Sequence, residues 1–464
     1  MPTMLAAIAF SFYAAVSMLM TVMATGPIHY YVGNWDPPWG IEIVVDYLSA
    51  FMALMVTGVG LLIAIYSVGY VDKLIEKRNV YLYYTFTLLL IGSLSGMVVT
   101  GDIFNLFVML EISSLASYAL VPIAGNMGTE GQFESSFRYL YMGAMASSFI
   151  LLGIGLTYMV TGTLNMADLA IRIQEVAIPM YPRVLAAGLG FLVVGFSVKT
   201  ALFPLHIWVP DAYTHAPAPV NALCSGITLE VGAYVLIRLF YAIFGISFVS
   251  FTALNEIIPL LAAVAIIFGS LFAIAQNDIY RMLAYSTVSQ MGYIVLGATL
   301  FSHSGLIGGI YHLINHSVMK ATMFLAVGAV IYKTGIRDIS ELGGLGKKMP
   351  WTMGAFSIAA LGMVGIPPLA GFMSKFFLVV GSLESNWAFV FVILASSLLN
   401  AVYFIRVINH IYFGVPPDAK IERDEAPFIM LIPTVLMGLL VIFLGVFPQV
   451  PLAIIKPAVG LLGL

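Results

Sequence analysis

HSGLIGGIYHLINHSVMKATMFLAVGAVIYK, residues 303–333, is long enough to cross a bilayer yet carries His312, His316 and Lys320 in its middle. A membrane helix needs roughly 20 mainly apolar residues, and this run exceeds that. The three titratable groups recur at intervals of four, so they share one helical stripe spread over roughly 12 Å of axis. A charge in hydrocarbon costs at least about 2.5–3.5 kcal/mol, so a line of such groups points to an ion or proton path. A histidine titrates near neutral pH and passes a proton between its two ring nitrogens. A single membrane histidine is more often a hydrogen-bonding partner for a neighbouring helix. It is the line of three, ending on Lys320, that favours a relay. Metal is the poorer reading, because His-x3-His has no third ligand in the sequence.

The rest of the 464 residues have the same character, with 61% hydrophobic and only 9% charged side chains and a mean hydropathy of +1.02. That balance is far from that of a soluble domain and describes an all-α polytopic membrane protein. A net charge of −3 leaves no large basic surface, which argues against nucleic acid as a partner. Cys224 is the single cysteine, so no internal disulfide and no cysteine cluster for zinc or iron–sulfur is expected, and no cofactor. The first apolar stretch, 3–24, has no basic leader and no small-residue cleavage site, and is expected to be a retained helix.

Apolar runs at 3–24, 46–70, 79–100, 103–124, 134–161, 184–209, 218–244, 253–276, 279–301, 303–333, 350–382, 386–414 and 427–448 predict about thirteen transmembrane helices. The loops are too short for a soluble domain, so 1–464 is expected to be one transmembrane domain. Lys73, Lys77, Arg78, Arg281, Lys333, Arg337, Lys347, Lys348, Lys420 and Arg423 fall on one side, against Arg172, Arg183 and Lys456 on the other. The basic side is the expected cytoplasmic one. With thirteen spans the N-terminus is then cytoplasmic and the C-terminus outside.

Two spans carry breakers. Pro204 and Pro210 follow Lys199, and Pro367 and Pro368 with Gly371 precede Lys375. Proline removes a backbone donor and clashes with the preceding turn, so each helix is expected to open there. Broken helices in matching places of two halves point to an inverted repeat. The spacing predicts two five-helix units, 79–244 and 253–414, each with its fourth helix broken and a lysine beside the break.

Glu111 lies inside 103–124 with no other charge between Asp102 and Glu130, and a lone buried carboxylate needs a cation. Lys199 is the natural partner. At about 7 Å and an effective dielectric near 20 such a pair interacts by roughly 2–2.5 kcal/mol, enough to load or release a proton; a static structural salt bridge is the alternative. Glu230 sits mid-span on the next helix and can bridge two half-paths. Arg138 either tunes Glu111 or snorkels to the cytoplasmic face, and His206 either lines the opened backbone or packs. Arg238 and Arg406 lie nearer helix ends, where snorkelling is expected.

The segments GDIFNLFVMLEISSLASYAL, VKTALFPLHIWVPDAYTHAP, NDIYRMLAYSTVSQMGYIVLG, INHSVMKATMFLAVG and PPLAGFMSKFF, in this order, resemble the antiporter-like family shared by Mrp cation/proton antiporters, respiratory complex I and membrane-bound hydrogenases. The likeness covers about 35–448. It implies that Glu111 and Lys199 form a proton-gating pair, that the histidine helix links the halves, and that Lys375 opens toward the outer exit. Lys375 and the absence of a long helix after Pro448 make the chain more similar to the smaller, D-type Mrp polypeptide than to the large, A-type one. The resemblance further implies a prokaryotic plasma-membrane location, other membrane subunits as partners, and protons with sodium, or a redox reaction, as the coupled process.

Two features depart from the family pattern. Only one span precedes GNWDPPWGIEIVVDYLSAF where two are usual, and Glu230 stands where the family usually has a lysine. Together they keep open a second reading, a structural scaffold with an altered or inactive path. A catalytic site of its own is not expected, since no phosphate loop, dinucleotide fingerprint or metal cluster is present. The expected proton path is Glu111, Lys199, Glu230, His312, His316, Lys320 and Lys375.

Overall fold

Helix starts are set by side chains that stand just before the apolar runs. Asp46 accepts from Ser49 N and Ser49 answers Asp46 N, closing a capping box ahead of Tyr47–Leu74. Asp102 accepts from Asn105 N ahead of Ile103–Leu120, Asp278 from Arg281 N ahead of Ile279–Thr299, and Ser302 from Gly305 N ahead of His303–Thr334. The computed structural model describes residues 1–125, 130–415 and 424–463. Among these, eleven helices are long and apolar enough to cross a membrane.

Two of the thirteen expected spans fall outside the eleven. Ile279–Thr299 is too polar to qualify, and it is buried along almost its whole length by protein instead. The run 350–382 is split into Pro350–Val364 and Ala370–Ser385. The run 184–209 is split likewise, into Pro182–Lys199 and Trp208–His215. Pro204 falls in the first break and Pro367 and Pro368 in the second, as expected, whereas Pro210 lies in the first turn of Trp208–His215 and does not interrupt it. Among the elements that the apolar runs do not mark are a hairpin of Ile28–Tyr31 with Glu42–Val45, and a short helix, Gln449–Leu461, against Tyr47–Leu74 and His303–Thr334.

The apolar windows of Ala218–Ile243 and His303–Thr334 are 94% buried, whereas that of Pro2–Thr25 is 22% buried. The helices that carry Glu230 and the line of His312, His316 and Lys320 therefore form the centre of the bundle, and Pro2–Thr25 lies at its edge. His303–Thr334 packs against Ala370–Ser385, Ile279–Thr299, Pro350–Val364, Phe428–Val446 and Tyr47–Leu74. Two backbone clasps share one pattern. Ile103 N donates to Leu164 O at 2.9 Å and Met166 N to Gly101 O at 2.8 Å. Ile279 N donates to Arg337 O at 3.0 Å and Ile339 N to Asn277 O at 2.9 Å.

Candidate functional site

The first cluster forms where Pro182–Lys199 ends. Ala201 adopts φ +55° and Leu202 N turns back to Ser197 O at 2.9 Å, so the helix cannot continue. The indole of Trp208 donates to Val198 O at 3.0 Å, satisfying a carbonyl that the break frees. Lys199 Nζ is thereby held at the open end, donating to Ser114 Oγ at 2.8 Å and Tyr118 Oη at 3.1 Å. Glu111, Ser114 and Tyr118 are spaced three and four apart and share one face of Ile103–Leu120. Glu111 acts on the ammonium through space, while Lys199 bonds to the two hydroxyls beyond it. Tyr118 is fixed edge-on to Tyr139 at 4.6 Å, and Tyr139 stacks on Trp208 at 4.0 Å. A Cβ on Gly143 would lie 1.6 Å from Tyr118 Oη, so only glycine leaves room for that hydroxyl.

The second cluster is central and fully buried. His316 Nδ1 bonds to the carboxylate of Glu230, and both side chains are fully buried. One turn along, Lys320 Nζ donates to Leu283 O at 2.8 Å and to Ser286 Oγ. Cys224–Thr228, just before Glu230, is a π-helical turn whose Gly226 carbonyl accepts from Ser317 Oγ. Such turns interrupt the regular ladder and offer carbonyls to neighbours. Glu230 Oε2 and His316 Nε2 find no protein partner among the described residues. Buried polar atoms are nearly always hydrogen-bonded, and Glu111 Oε1 shares this lack, so these are places where the path calls for water.

His312 leads to the second break. Its Nε2 meets Gln290 Oε1 at 3.0 Å, and its Nδ1 meets Ser374 Oγ at 2.9 Å. The amide oxygen can only accept, so Nε2–H donates to it, and Nδ1 of that tautomer is an acceptor facing the Ser374 hydroxyl, which also reaches Gly371 O at 3.1 Å. The His312 and His316 rings are 6.3 Å apart with no direct hydrogen bond. Next to Ser374, Lys375 Nζ donates to Met363 O at 2.9 Å, Val364 O at 3.2 Å and Ser397 Oγ at 3.2 Å, and lies 4.9 Å from the Tyr293 ring centre. Met363 and Val364 close the first half-helix, so the ammonium sits at its negative end. Gly365, at φ +94°, ends that half-helix in the left-handed region, and a Cβ there would meet Lys375 Cδ at 3.1 Å.

Two expected residues lie apart from these clusters. Arg138 is exposed and pairs with Glu134 at 2.6 Å and Asp211 at 2.7 Å, so its contacts are with the membrane face rather than with Glu111. His206 is buried between Phe203, stacked at 5.2 Å, and Tyr285 at 6.4 Å, with Nδ1 unpaired among the described residues. Arg406 donates to Ile274 O and Gln276 O near the helix end, in keeping with snorkelling. Arg238 does not snorkel. It forms a largely buried ion pair with Asp46, at 2.6 Å from Nη1, because the capping aspartate of a helix far away in sequence stands at its depth. A cavity of about 270 Å³ adjoins this pair beneath the hairpin, lined also by Glu42 and His29.

Sequence reasoning missed the uncharged members of the site: Ser114, Tyr118, Ser286, Gln290, Tyr293 and Ser374. Ser114 and Tyr118 had a signal, their helical spacing from Glu111. Gln290, an amide in the middle of an apolar run, had another.

Residues 100–400 match the family model described as NADH:quinone oxidoreductase/Mrp antiporter, TM, and residues 29–79 match NADH-ubiquinone oxidoreductase (complex I), chain 5 N-terminus. The N subunit of the NADH-quinone oxidoreductase of Desulforudis audaxviator is 42% identical over 457 residues, which cover 96% of this chain and 89% of that one. The D subunit of the Na(+)/H(+) antiporter of Alkalihalophilus pseudofirmus is 35% identical over 418 residues, which cover 89% and 82%. Among solved structures, a chain of the membrane-bound sulfane sulfur reductase, an archaeal respiratory membrane complex, superposes with a TM-score of 0.90 at 32% identity, covering 99% of this chain and 91% of that one.

Proposed function

Because this chain belongs to the NADH:quinone oxidoreductase/Mrp antiporter transmembrane family, we propose that it carries protons through Glu111, Lys199, Glu230, His316, Lys320, His312 and Lys375. It does so as an antiporter-like member of a multi-subunit membrane complex, with other membrane subunits as partners. The observation that carries this reading is the fully buried contact of His316 with Glu230, flanked by Lys320 on one side and the Lys199 break on the other. A scaffold has no use for five buried titratable groups, Glu230, His312, His316, Lys320 and Lys375, beside the partly buried Glu111 and Lys199, at a cost of about 2.5 kcal/mol or more for each buried one. Moving one charge through 100 mV takes roughly 2.3 kcal/mol, an energy that one rearranged ion pair supplies.

The path is organised in this reading as two inverted five-helix units, 79–244 and 253–414. The matching clasps at Asp102 with Asn165 and at Asp278 with Asp338 support it. Each unit opens its fourth helix at a lysine, so each half-path ends on an unwound backbone. Arg138 tethers the membrane face to Asp211, and His206 lines the first opened segment.

The basic face is cytoplasmic in this reading, with the N-terminus there and the C-terminus outside a prokaryotic plasma membrane. Lys73 donates to Tyr332 O, Arg337 pairs with Asp278, Lys333 with Asp424 and Arg281 with Asp211, so these basic residues gather on one face. Lys420 and Arg423 lie outside the described residues. The exchanged ion is sodium if the complex resembles that of the Na(+)/H(+) antiporter relative, and the driving process is redox if it resembles that of the NADH-quinone oxidoreductase relative.

The test is proton transport by the assembled complex in sealed vesicles. Lys199→Ala should abolish it while the complex stays intact. Unchanged transport by that variant, in an intact assembly, would leave the scaffold reading standing.

A further inference from the structure

Lys320 and Lys375 are also linked by a route that avoids both histidines. Lys320 Nζ reaches Ser286 Oγ, and Ser286 lies beside Tyr403. Tyr403 Oη donates to Asn400 Oδ1 at 2.7 Å, and Ser270 Oγ donates to the same oxygen at 3.2 Å. Ser270 continues to Ser396 at 3.0 Å, with a branch to Ser289 at 2.9 Å. Ser396 and Ser397 flank the Tyr293 hydroxyl, and Ser397 receives Lys375 at 3.2 Å. Ser270, Ser286, Ser396, Tyr403 and Asn400 have no exposed surface.

The histidine route has a gap, since the His312 and His316 rings lie 6.3 Å apart with no direct hydrogen bond. A proton passes along hydroxyls only if each oxygen accepts from one neighbour and donates to the next. Every linking hydroxyl can do so by turning its proton from the backbone carbonyl it meets, as Ser286 meets Leu283 O and Ser270 meets Ile266 O, each at 2.8 Å; Asn400 cannot. Its amide oxygen only accepts, so an arm arriving from Tyr403 and one arriving from Ser270 both end on it. Turning the amide over makes the same position donor-only, and again nothing passes.

We propose that these hydroxyls form a second proton connection between Lys320 and Lys375 and that Asn400 holds it closed. Protons are thereby confined to the histidine route, where a gap permits control. The inference rests on the proton-carrying reading above.

The test uses the assembled complex in vesicles, on backgrounds in which His312→Phe or His316→Phe has slowed proton transport. Adding Asn400→Ser supplies a group that both donates and accepts, and should restore transport at least tenfold. Adding Asn400→Leu, which keeps the volume and neither donates nor accepts, should not. Equal transport with serine and leucine overturns the inference. On the native background, which needs no histidine lesion, Asn400→Ser should let an imposed pH gradient decay at least threefold faster than Asn400→Leu, and equal decay again overturns it. If the unmodified complex carries no protons, the proposed function fails. If it does and serine gives no gain, the fault is in the inference alone.

Discussion

His316 Nδ1 and the Glu230 carboxylate bond across two central helices, 86 residues apart in sequence, with neither side chain exposed. Glu230→Gln keeps a hydrogen-bonding oxygen and removes the charge that answers Lys320. Proton transport should fall by on the order of tenfold, equivalent to about 1.4 kcal/mol in the barrier, with the complex intact. Glu230→Leu strips both His316 and Lys320 of that carboxylate, and an unsatisfied buried group costs about 1–3 kcal/mol. It should lower the thermal midpoint of the assembled complex as well as transport. A glutamine variant with native transport rates would remove this carboxylate from the path.

Gly143 faces the hydroxyl that receives Lys199. Gly143→Ala places a methyl where Tyr118 Oη stands, so the ring must move and Lys199 keeps only Ser114. Losing one hydrogen bond is worth about 0.5–1.5 kcal/mol, so transport should drop severalfold without vanishing. Tyr118→Phe, which deletes the hydroxyl, should show a similar drop; the methyl of Gly143→Ala still meets the ring Cζ at 2.5 Å, so the ring must move there too, but no further bond to Lys199 is lost and adding it should lower transport little more. Strict additivity of the two in a transport assay would show that they act at separate places.

The helices, both breaks and the identity of the buried charges were legible because each has a local cause: length of apolar run, proline, or an ionisable residue in oil. The contacts of those charges were not. Arg238 reads as a snorkelling residue until Asp46 is found at its depth, and nothing in either residue's neighbourhood announces the other. Lys199 reads as the partner of Glu111, yet serine and tyrosine on the same helical stripe take its protons. Hydroxyls and amides carry no charge to flag them in an apolar run. The hairpin at Ile28–Tyr31 has strands of only four residues, too short for alternation to show.

The Asp46 and Arg238 pair gives a prediction about acid. Burial alone would raise the Asp46 carboxyl, but the Arg238 charge and the Ser49 bonds outweigh it and hold the group below its ordinary 3.8. A depressed carboxyl stabilises the fold above its unfolded value, and that stability is lost as pH falls through the folded value. Acid melting of the native complex should therefore deepen below about pH 3.8, and less so in an Asp46→Asn variant. That variant leaves Arg238 buried without its partner and should lose about 3–5 kcal/mol at neutral pH. Equal midpoints for native and variant across the pH range would show that the pair is not coupled to folding.

Lys375 closes the first half of its broken helix as well as standing on the path. Its ammonium bonds to Met363 O and Val364 O, where aligned peptide dipoles leave partial negative charge. A cation at such a partly buried end is worth up to about 2 kcal/mol. Lys375→Gln keeps an N–H donor for those carbonyls and loses the titratable group, so the complex should assemble normally and transport should fail. Lys375→Glu restores a titratable group but turns a negative charge toward the same carbonyls, so it should lower the thermal midpoint and still transport poorly. Thermal melts of the two variants beside their transport rates separate the roles. A glutamate variant that melts like the native complex and moves protons at the native rate would mean that the half-helix end places no demand on the sign of this charge.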